Sequence, residues 1–228
     1  MKLLIGNKNY SSWSMRPWVL LTQFDIPFEE VHVPFESVAA DSRFKAAVAE
    51  RSPAGKVPVL VDDDGFAVWD SLAIAEFLAE KFPGQALWPR APRRRARARS
   101  ICAEMHSGFG TMRDVFGMNI EASMPGIGAR VLAENAAARA DLARMTQMWE
   151  EALAGSGGPF LFGEFSIADA FFAPVVMRMR TYALPVPAQV AAYIERATAA
   201  KGTAAWIRGA LAEREFLAFE EPYRTSRD

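Results

Sequence analysis

The apolar positions of the first eighty residues fall into short runs, not long faces. Residues 2–6 form a short apolar run and residues 28–33 another with β-branched residues, and between them Met15, Trp18, Val19 and Thr22 recur at helical spacing behind Ser14, a candidate cap. Such a crossover makes its two strands parallel and turns right-handed. Residues 41–50 predict a second helix, broken by Ser52-Pro53. Residues 57–61 and 66–69 then flank Asp62-Asp63-Asp64-Gly65, a hairpin turn, and Ile74, Phe77, Leu78 and Phe82 mark one face of a helix that stops before Pro83-Gly84. The predicted order is β-α-β-α-β-β-α.

Beyond this point the strand-like runs vanish. Residues 83–92 carry three prolines and read as a linker, so the pattern divides the chain into residues 1–82, a linker at 83–92, and an all-helical remainder at 93–228. Ile101, Met105, Phe109 and Met112 share one helical face and Leu142, Met145, Trp149 and Leu153 another, with Met124-Pro125-Gly126-Ile127-Gly128 separating the two helices. Ser166-Ile167-Ala168-Asp169 has the form of a capping box, with Asp in place of Glu, ahead of Phe171, Phe172, Val175 and Met179.

Composition narrows the possible partners. The chain has 228 residues, 51% hydrophobic and 23% charged, with a net charge of -1. That is enough to bury a sizeable core, and it leaves no overall field for nucleic acid or an anionic membrane. Arg93, Arg94, Arg95, Arg97 and Arg99 form a basic cluster without interleaved aromatics, which reads as a solvated or dimer-facing surface. The start of the chain lacks a signal-peptide pattern and no run has the length of a membrane span, so a cytoplasmic protein is expected. One cysteine, Cys102, excludes an internal disulfide and a Cys-x-x-Cys motif, and the two histidines, His32 and His106, leave little for a metal site.

Pro58 interrupts an apolar run that otherwise reads as a buried strand, a place where proline is normally excluded. The Val57-Pro58 bond is a candidate cis peptide, which turns the polar groups of Val57 outward to pair with a ligand that is itself a short peptide. Asp70 and Ser71 end the next strand and open a helix, whose unpaired N–H groups form an anion site. An extended peptide is then held at its middle by Val57 and at its carboxylate by Ser71. A third cluster, Asn9-Tyr10-Ser11-Ser12-Trp13-Ser14-Met15-Arg16-Pro17, lies between the first strand and the first helix, where α/β folds place ligand-binding groups.

Together these motifs resemble the N-terminal domain of the glutathione S-transferase superfamily, and the resemblance covers the whole chain. It implies an α/β plus all-α fold: a thioredoxin-like N-terminal domain, then an all-helical domain carrying an electrophile pocket and a dimer surface. Glutathione is the implied cosubstrate. Ser-Ser-x-Ser-x-Arg resembles the loop of the zeta and tau classes, which makes Ser11 the catalytic candidate, Ser12 its alternative and Ser14 a cap. The same resemblance assigns Val57, Pro58 and Ser71 to the tripeptide, Asp70 to its γ-glutamyl ammonium and Arg43 to its glycine carboxylate, while Arg16 either braces the loop or anchors a substrate carboxylate. Trp13 stands where zeta-like enzymes carry cysteine, which argues against mixed-disulfide chemistry. The second substrate is expected between the domains, near Trp13, His106, Phe109, Arg113 and Asn119. Asp169 matches the buried capping aspartate of such transferases, with a role in folding.

The physical task is to ionise a thiol. With a pKa near 8.5, roughly 3% is thiolate at pH 7, and lowering it by about two units costs about 2.7 kcal/mol. One hydroxyl donating to a charged acceptor supplies about 1.5–3 kcal/mol and a helix end up to about 1. A single serine is sufficient, and the ligand's sulfur is the attacking atom. Addition to an electrophilic carbon and cis-trans isomerisation of the maleylacetoacetate type both follow from that chemistry. A non-catalytic docking module is the rival from another class, and a glutathione-dependent peroxidase or disulfide reductase is a third reading.

Overall fold

The computed structural model describes residues 1–37, 39 and 42–227. Its first part contains strands β1 (Lys2–Ile5), β2 (Glu29–His32), β3 (Val59–Val61) and β4 (Ala67–Trp69) with helices α1 (Ser12–Gln23), α2 (Arg43–Ala49) and α3 (Ser71–Lys81). The element order is the one the apolar pattern predicts. The strands form one sheet in the order β2-β1-β3-β4. β1 runs parallel to β2, with Leu4 opposite Val31, and antiparallel to β3, with Leu4 opposite Val59. Period-two alternation splits this sheet cleanly. Leu3, Ile5 and Leu60 join the main core on the α1/α3 side, and Leu4 and Val59 meet Phe44 and Val48 of α2 on the other. Asp62–Gly65 closes the β3–β4 hairpin, and Gly65 takes the positive φ of 89° the turn requires.

The helical part comprises α4 (Pro92–Ser107), α5 (Gly110–Val115), α6 (Pro125–Glu134), α7 (Ala136–Ser156), α8 (Ile167–Thr181), α9 (Ala188–Ala199) and α10 (Lys201–Glu213), followed by a 3-10 turn, Ala218–Glu220. The fold is thus a thioredoxin-like α/β unit followed by an all-helical unit. Helix α8 is the axis: apart from Arg180 all of its residues are buried, because it packs against α1, α4 and α9. Its start is the capping box expected at Ser166 and Asp169. Buried Asp169 accepts from the Leu161 amide at 3.1 Å, the Ser166 amide at 2.9 Å and the Tyr193 hydroxyl at 3.1 Å. Helix α10 returns to the first unit, where a Cβ on Gly202 would stand 2.3 Å from the Val19 carbonyl oxygen. Only glycine permits that approach. The segment between α3 and α4 is packed: Leu87 and Trp88 are buried, and the Leu87 carbonyl accepts from Ile167 N at 2.8 Å.

Three local expectations are corrected. The face running from Ile101 to Met112 does not belong to one helix. Gly108 ends α4, and Phe109 takes a left-handed conformation (φ 55°) before α5 starts. The segment 124–128 is not a plain separator, because Pro125 is the first residue of α6, a position where its missing N–H costs nothing. Ser14 does not cap α1. It lies inside the helix, and Ser11 occupies the cap position. The predicted second helix, 41–50, appears as Arg43–Ala49, and Asp41 lies outside the described residues.

Candidate functional site

Two adjoining cavities open where the C-terminal end of the sheet meets the helical unit. The first, about 350 Å³, is lined by Val57, Pro58, Asp70, Ser71 and His106. The second, about 330 Å³, is lined by Tyr10, Ser11, Ser12, Arg113, Arg178 and Glu220. Trp13, Lys56 and Val57 border both, so one extended ligand can run from one into the other.

The Val57–Pro58 peptide is cis, as its setting in the sequence suggests. The β3 ladder begins only at Val59, which leaves Val57 outside the sheet pairing. Across the first cavity, Asp70 has a positive φ of 74° and caps α3, its Oδ1 accepting from the Leu72 amide at 2.8 Å. Its Oδ2 lies 3.1 Å from His106 Nε2. Ser71 is buried and its Oγ accepts from Arg16 Nη1 at 3.3 Å. Arg16 is itself buried, lying over Trp13 at 4.1 Å and Phe171 at 4.0 Å from the ring centres. Burial pulls its pKa down to about 9.

At the start of α1, Ser11 Oγ and Ser14 Oγ are 2.7 Å apart, and Ser14 Oγ also accepts from the Gly6 amide at 3.2 Å. Because the Ser11 side chain is turned to Ser14, no side chain caps the first amides of α1. The start of α1 therefore faces the second cavity without a side-chain cap, an arrangement suited to a negatively charged ligand atom, and Glu220 is the acid among that cavity's lining residues.

The loop ahead of these serines is tied down by the far end of the chain. The Lys8 amide donates to Glu213 Oε1 at 2.8 Å, Asn7 Nδ2 donates to Glu215, and the Tyr10 hydroxyl donates to Glu221 Oε1 at 2.7 Å. Asn9 Oδ1 accepts from the Ile120 amide at 2.7 Å. Burial, aided by Glu221, pushes the Tyr10 phenol up to about 12, so it remains a neutral donor.

The structure gathers Ser11, Ser12, Trp13, Val57, Pro58, Asp70, Ser71, His106 and Arg113 around the two cavities. Three candidates fall elsewhere. Arg43 is exposed at the start of α2 and lines neither cavity; Lys56 is the cation at the cavity edge. The Phe109 ring lies in the core because its left-handed backbone turns the chain inward at the α4–α5 break. Buried Asn119 accepts from Asn9 Nδ2 at 3.0 Å and donates to Glu221 Oε1 at 2.8 Å, so it braces the loop instead of facing a substrate.

Lys56, Arg178 and Glu220 also line the cavities, and none of them belongs to the sequence motifs above. The first directly precedes Val57-Pro58, and that adjacency was the available signal. Arg178 and Glu220 carry no local signature, since they reach the cavity only through the packing of α8 and the C-terminal segment. Among the described residues no cluster of side chains suits a metal ion, and no helix is long and apolar enough to cross a membrane.

Comparison with known proteins agrees with this geometry. Residues 10–81 match the family model of the glutathione S-transferase N-terminal domain and residues 132–209 that of the C-terminal domain. The chain belongs to the glutathione S-transferase family. A probable maleylacetoacetate isomerase from Caenorhabditis elegans is 38% identical over 99 residues, 43% of this chain and 44% of that protein, so the match spans less than half of that relative's length. A stringent starvation protein A homolog from Haemophilus ducreyi is 25% identical over 77% of this chain and 73% of its own. The crystal structure of a Burkholderia glutathione transferase homolog with bound glutathione is similar over 94% of this chain and 98% of that one, at 25% identity and a TM-score of 0.68.

Proposed function

We propose that the protein is a serine-type glutathione transferase that holds glutathione across the two cavities and presents its sulfur as a thiolate to an electrophilic small molecule. The observation that carries this reading is the uncapped start of α1 beside the Ser11–Ser14 hydroxyl pair. Both groups are hydroxyls, so the pair runs in either direction. With Ser14, held by the Gly6 amide, donating to Ser11, the Ser11 proton is released toward the cavity and the sulfur. Ser12, on the same cavity, is the alternative donor.

The residues present fit the tripeptide. Val57 offers main-chain groups to its middle and Ser71 a hydroxyl to its γ-glutamyl carboxylate, while Asp70 Oδ2, shared with His106, faces the ammonium. Lys56 takes over the role expected of Arg43 toward the glycine carboxylate. The electrophile then lies in the second cavity, against Trp13 and Arg113. Isomerisation through a reversible thiol adduct is the alternative chemistry, favoured by the likeness to the isomerase. The likeness to the starvation protein homolog favours a docking module. Immobilised glutathione separates these classes. The transferase reading expects retention and glutathione-dependent turnover of an aryl halide or of a maleyl isomer, and neither retention nor turnover leaves the docking module.

We also propose that the chain forms a homodimer. The acidic β3–β4 hairpin carries Phe66, 60% exposed, and between α4 and α7 lies a cavity of about 400 Å³ lined by Met148 and Phe162 and by Arg93, Arg94, Arg97 and Arg144, which outnumber its two glutamates, Glu104 and Glu151. An exposed aromatic beside three aspartates is complementary to an apolar, arginine-rimmed groove on a second copy. Phe66→Asp is expected to convert a dimer into a monomer in sedimentation velocity, and an unchanged sedimentation coefficient rules out this contact.

A further inference from the structure

A helix that opens on a serine ordinarily fixes that residue by turning its hydroxyl onto the first free amides. Here the Ser11 hydroxyl is engaged with Ser14, and no side chain among the described residues caps α1. The bearing of Ser11 therefore depends on the two residues before it, Asn9 and Tyr10, and both are held by one buried atom at the far end of the chain. Glu221 is 4% exposed, and its Oε1 accepts from the Tyr10 hydroxyl at 2.7 Å and from Asn119 Nδ2 at 2.8 Å. Asn119 passes the hold on, its Oδ1 accepting from Asn9 Nδ2 at 3.0 Å. Glu213 and Glu215 grip the turn further back, at Asn7, Lys8 and the Asn9 amide.

A buried carboxylate is costly to keep, and an apolar side chain of similar volume is often at least as stable in its place. What the carboxylate adds is geometry. Hydrogen bonds to an ionised acceptor are roughly twice as strong as neutral ones, so a carboxylate oxygen fixes two donors more firmly than a neutral acceptor does. Arg224 Nη1 stands 3.6 Å from the same oxygen, and Arg224 Nη2 turns to Glu121, so the short bonds of Glu221 Oε1 are those to Tyr10 and Asn119. Resting on the serine-type reading above, we propose that Glu221 is a positioning residue for thiol activation, whose one oxygen sets Asn9 and Tyr10 and through them the direction in which Ser11 presents its hydroxyl to the sulfur.

A pH profile distinguishes positioning from support of the fold. Thiolate is titrated by ultraviolet absorbance in the glutathione complexes of the wild type, Glu221→Ala and Glu221→Gln, and glutathione-dependent turnover of an aryl halide is followed over the same pH range. Glu221→Ala is expected to raise the bound thiol pKa from about 6.5 by about one unit, which lowers turnover about fivefold at about pH 6.5 and less than about twofold at about pH 9, with glutathione affinity changed by less than about threefold. Support of the fold alone gives a loss that is equal at every pH. Glu221→Gln keeps an acceptor oxygen for both donors and is expected to titrate within about 0.3 of the wild-type pKa. Should Glu221→Ala fail to fold, Tyr10→Phe, which removes one of the two bonds, is expected to move the titration in the same direction by a smaller amount. Coincident curves for the wild type and the folded variant overturn the proposal, and so does a Glu221→Gln curve displaced as far as that of Glu221→Ala. A wild-type complex whose thiol titrates near the free value of about 8.5 instead overturns the serine-type reading on which the proposal stands.

Discussion

Replacing Ser11 with alanine is expected to move the pKa of the bound glutathione thiol from about 6.5 back toward its free value near 8.5, with glutathione affinity changed by less than about threefold. Removing a donor to a charged acceptor forfeits about 1.5–3 kcal/mol, so turnover below the new pKa should fall by about tenfold to a hundredfold. Ultraviolet titration of thiolate in the parent and variant complexes measures the shift directly. Ser14 keeps its Gly6 amide in the variant, so the fold of the loop is retained. The same titration on Ser12→Ala is the control. A shift confined to Ser12→Ala transfers the role to that residue, and coincident curves for all three proteins remove both serines from the chemistry.

Asp169→Ala should have the largest effect on stability. It leaves the Leu161 and Ser166 amides, the Ser166 hydroxyl and the Tyr193 hydroxyl without their acceptor inside the core. At about 1–3 kcal/mol for each orphaned donor, with incomplete additivity, the loss is about 3–5 kcal/mol, a large part of a typical total of about 5–15. A urea midpoint lower by about 1–2 M is the expected reading. The more conservative Asp169→Asn isolates the ionisation. Burial raises the Asp169 pKa from 3.8 to about 6 against the pull of its four donors. The folded protein therefore holds the proton more tightly than the unfolded chain, and the stability of the wild type relative to Asp169→Asn should be greatest near pH 4 and decline as the pH rises to about 6. A difference that grows with pH across that window contradicts the assignment.

Most of the architecture was legible because it follows from short-range chemistry. Alternation at Leu3, Leu4 and Ile5 marks a strand covered on both faces, three aspartates and Gly65 mark a hairpin, and Ser166 with Asp169 marks a helix start. The two halves of the proposed tripeptide site were legible for the same reason, since Pro58 interrupts an apolar run and Asp70-Ser71 has the form of a helix start. Legibility failed where a residue's role is decided by what packs on it. Phe109 keeps the spacing of Ile101 and Met105 and is buried with them in the core, although its own left-handed backbone separates α4 from α5. Asn119 is polar and follows a helix, which suggests a pocket, but its partners Asn9 and Glu221 lie 110 and 102 positions away in the chain. Ser14 has a capping residue's chemistry and sits a few residues too far along.

The bonds from Glu213, Glu215 and Glu221 to the loop at residues 7–10 span 204–211 positions in the chain. A ribosome therefore releases the thioredoxin-like unit long before the groups that steady its serine loop exist. The sheet and its helices can close early, but the serine loop acquires its final bearing only when Glu213, Glu215 and Glu221 arrive, so a growing chain carries its scaffold well ahead of that loop's bracing.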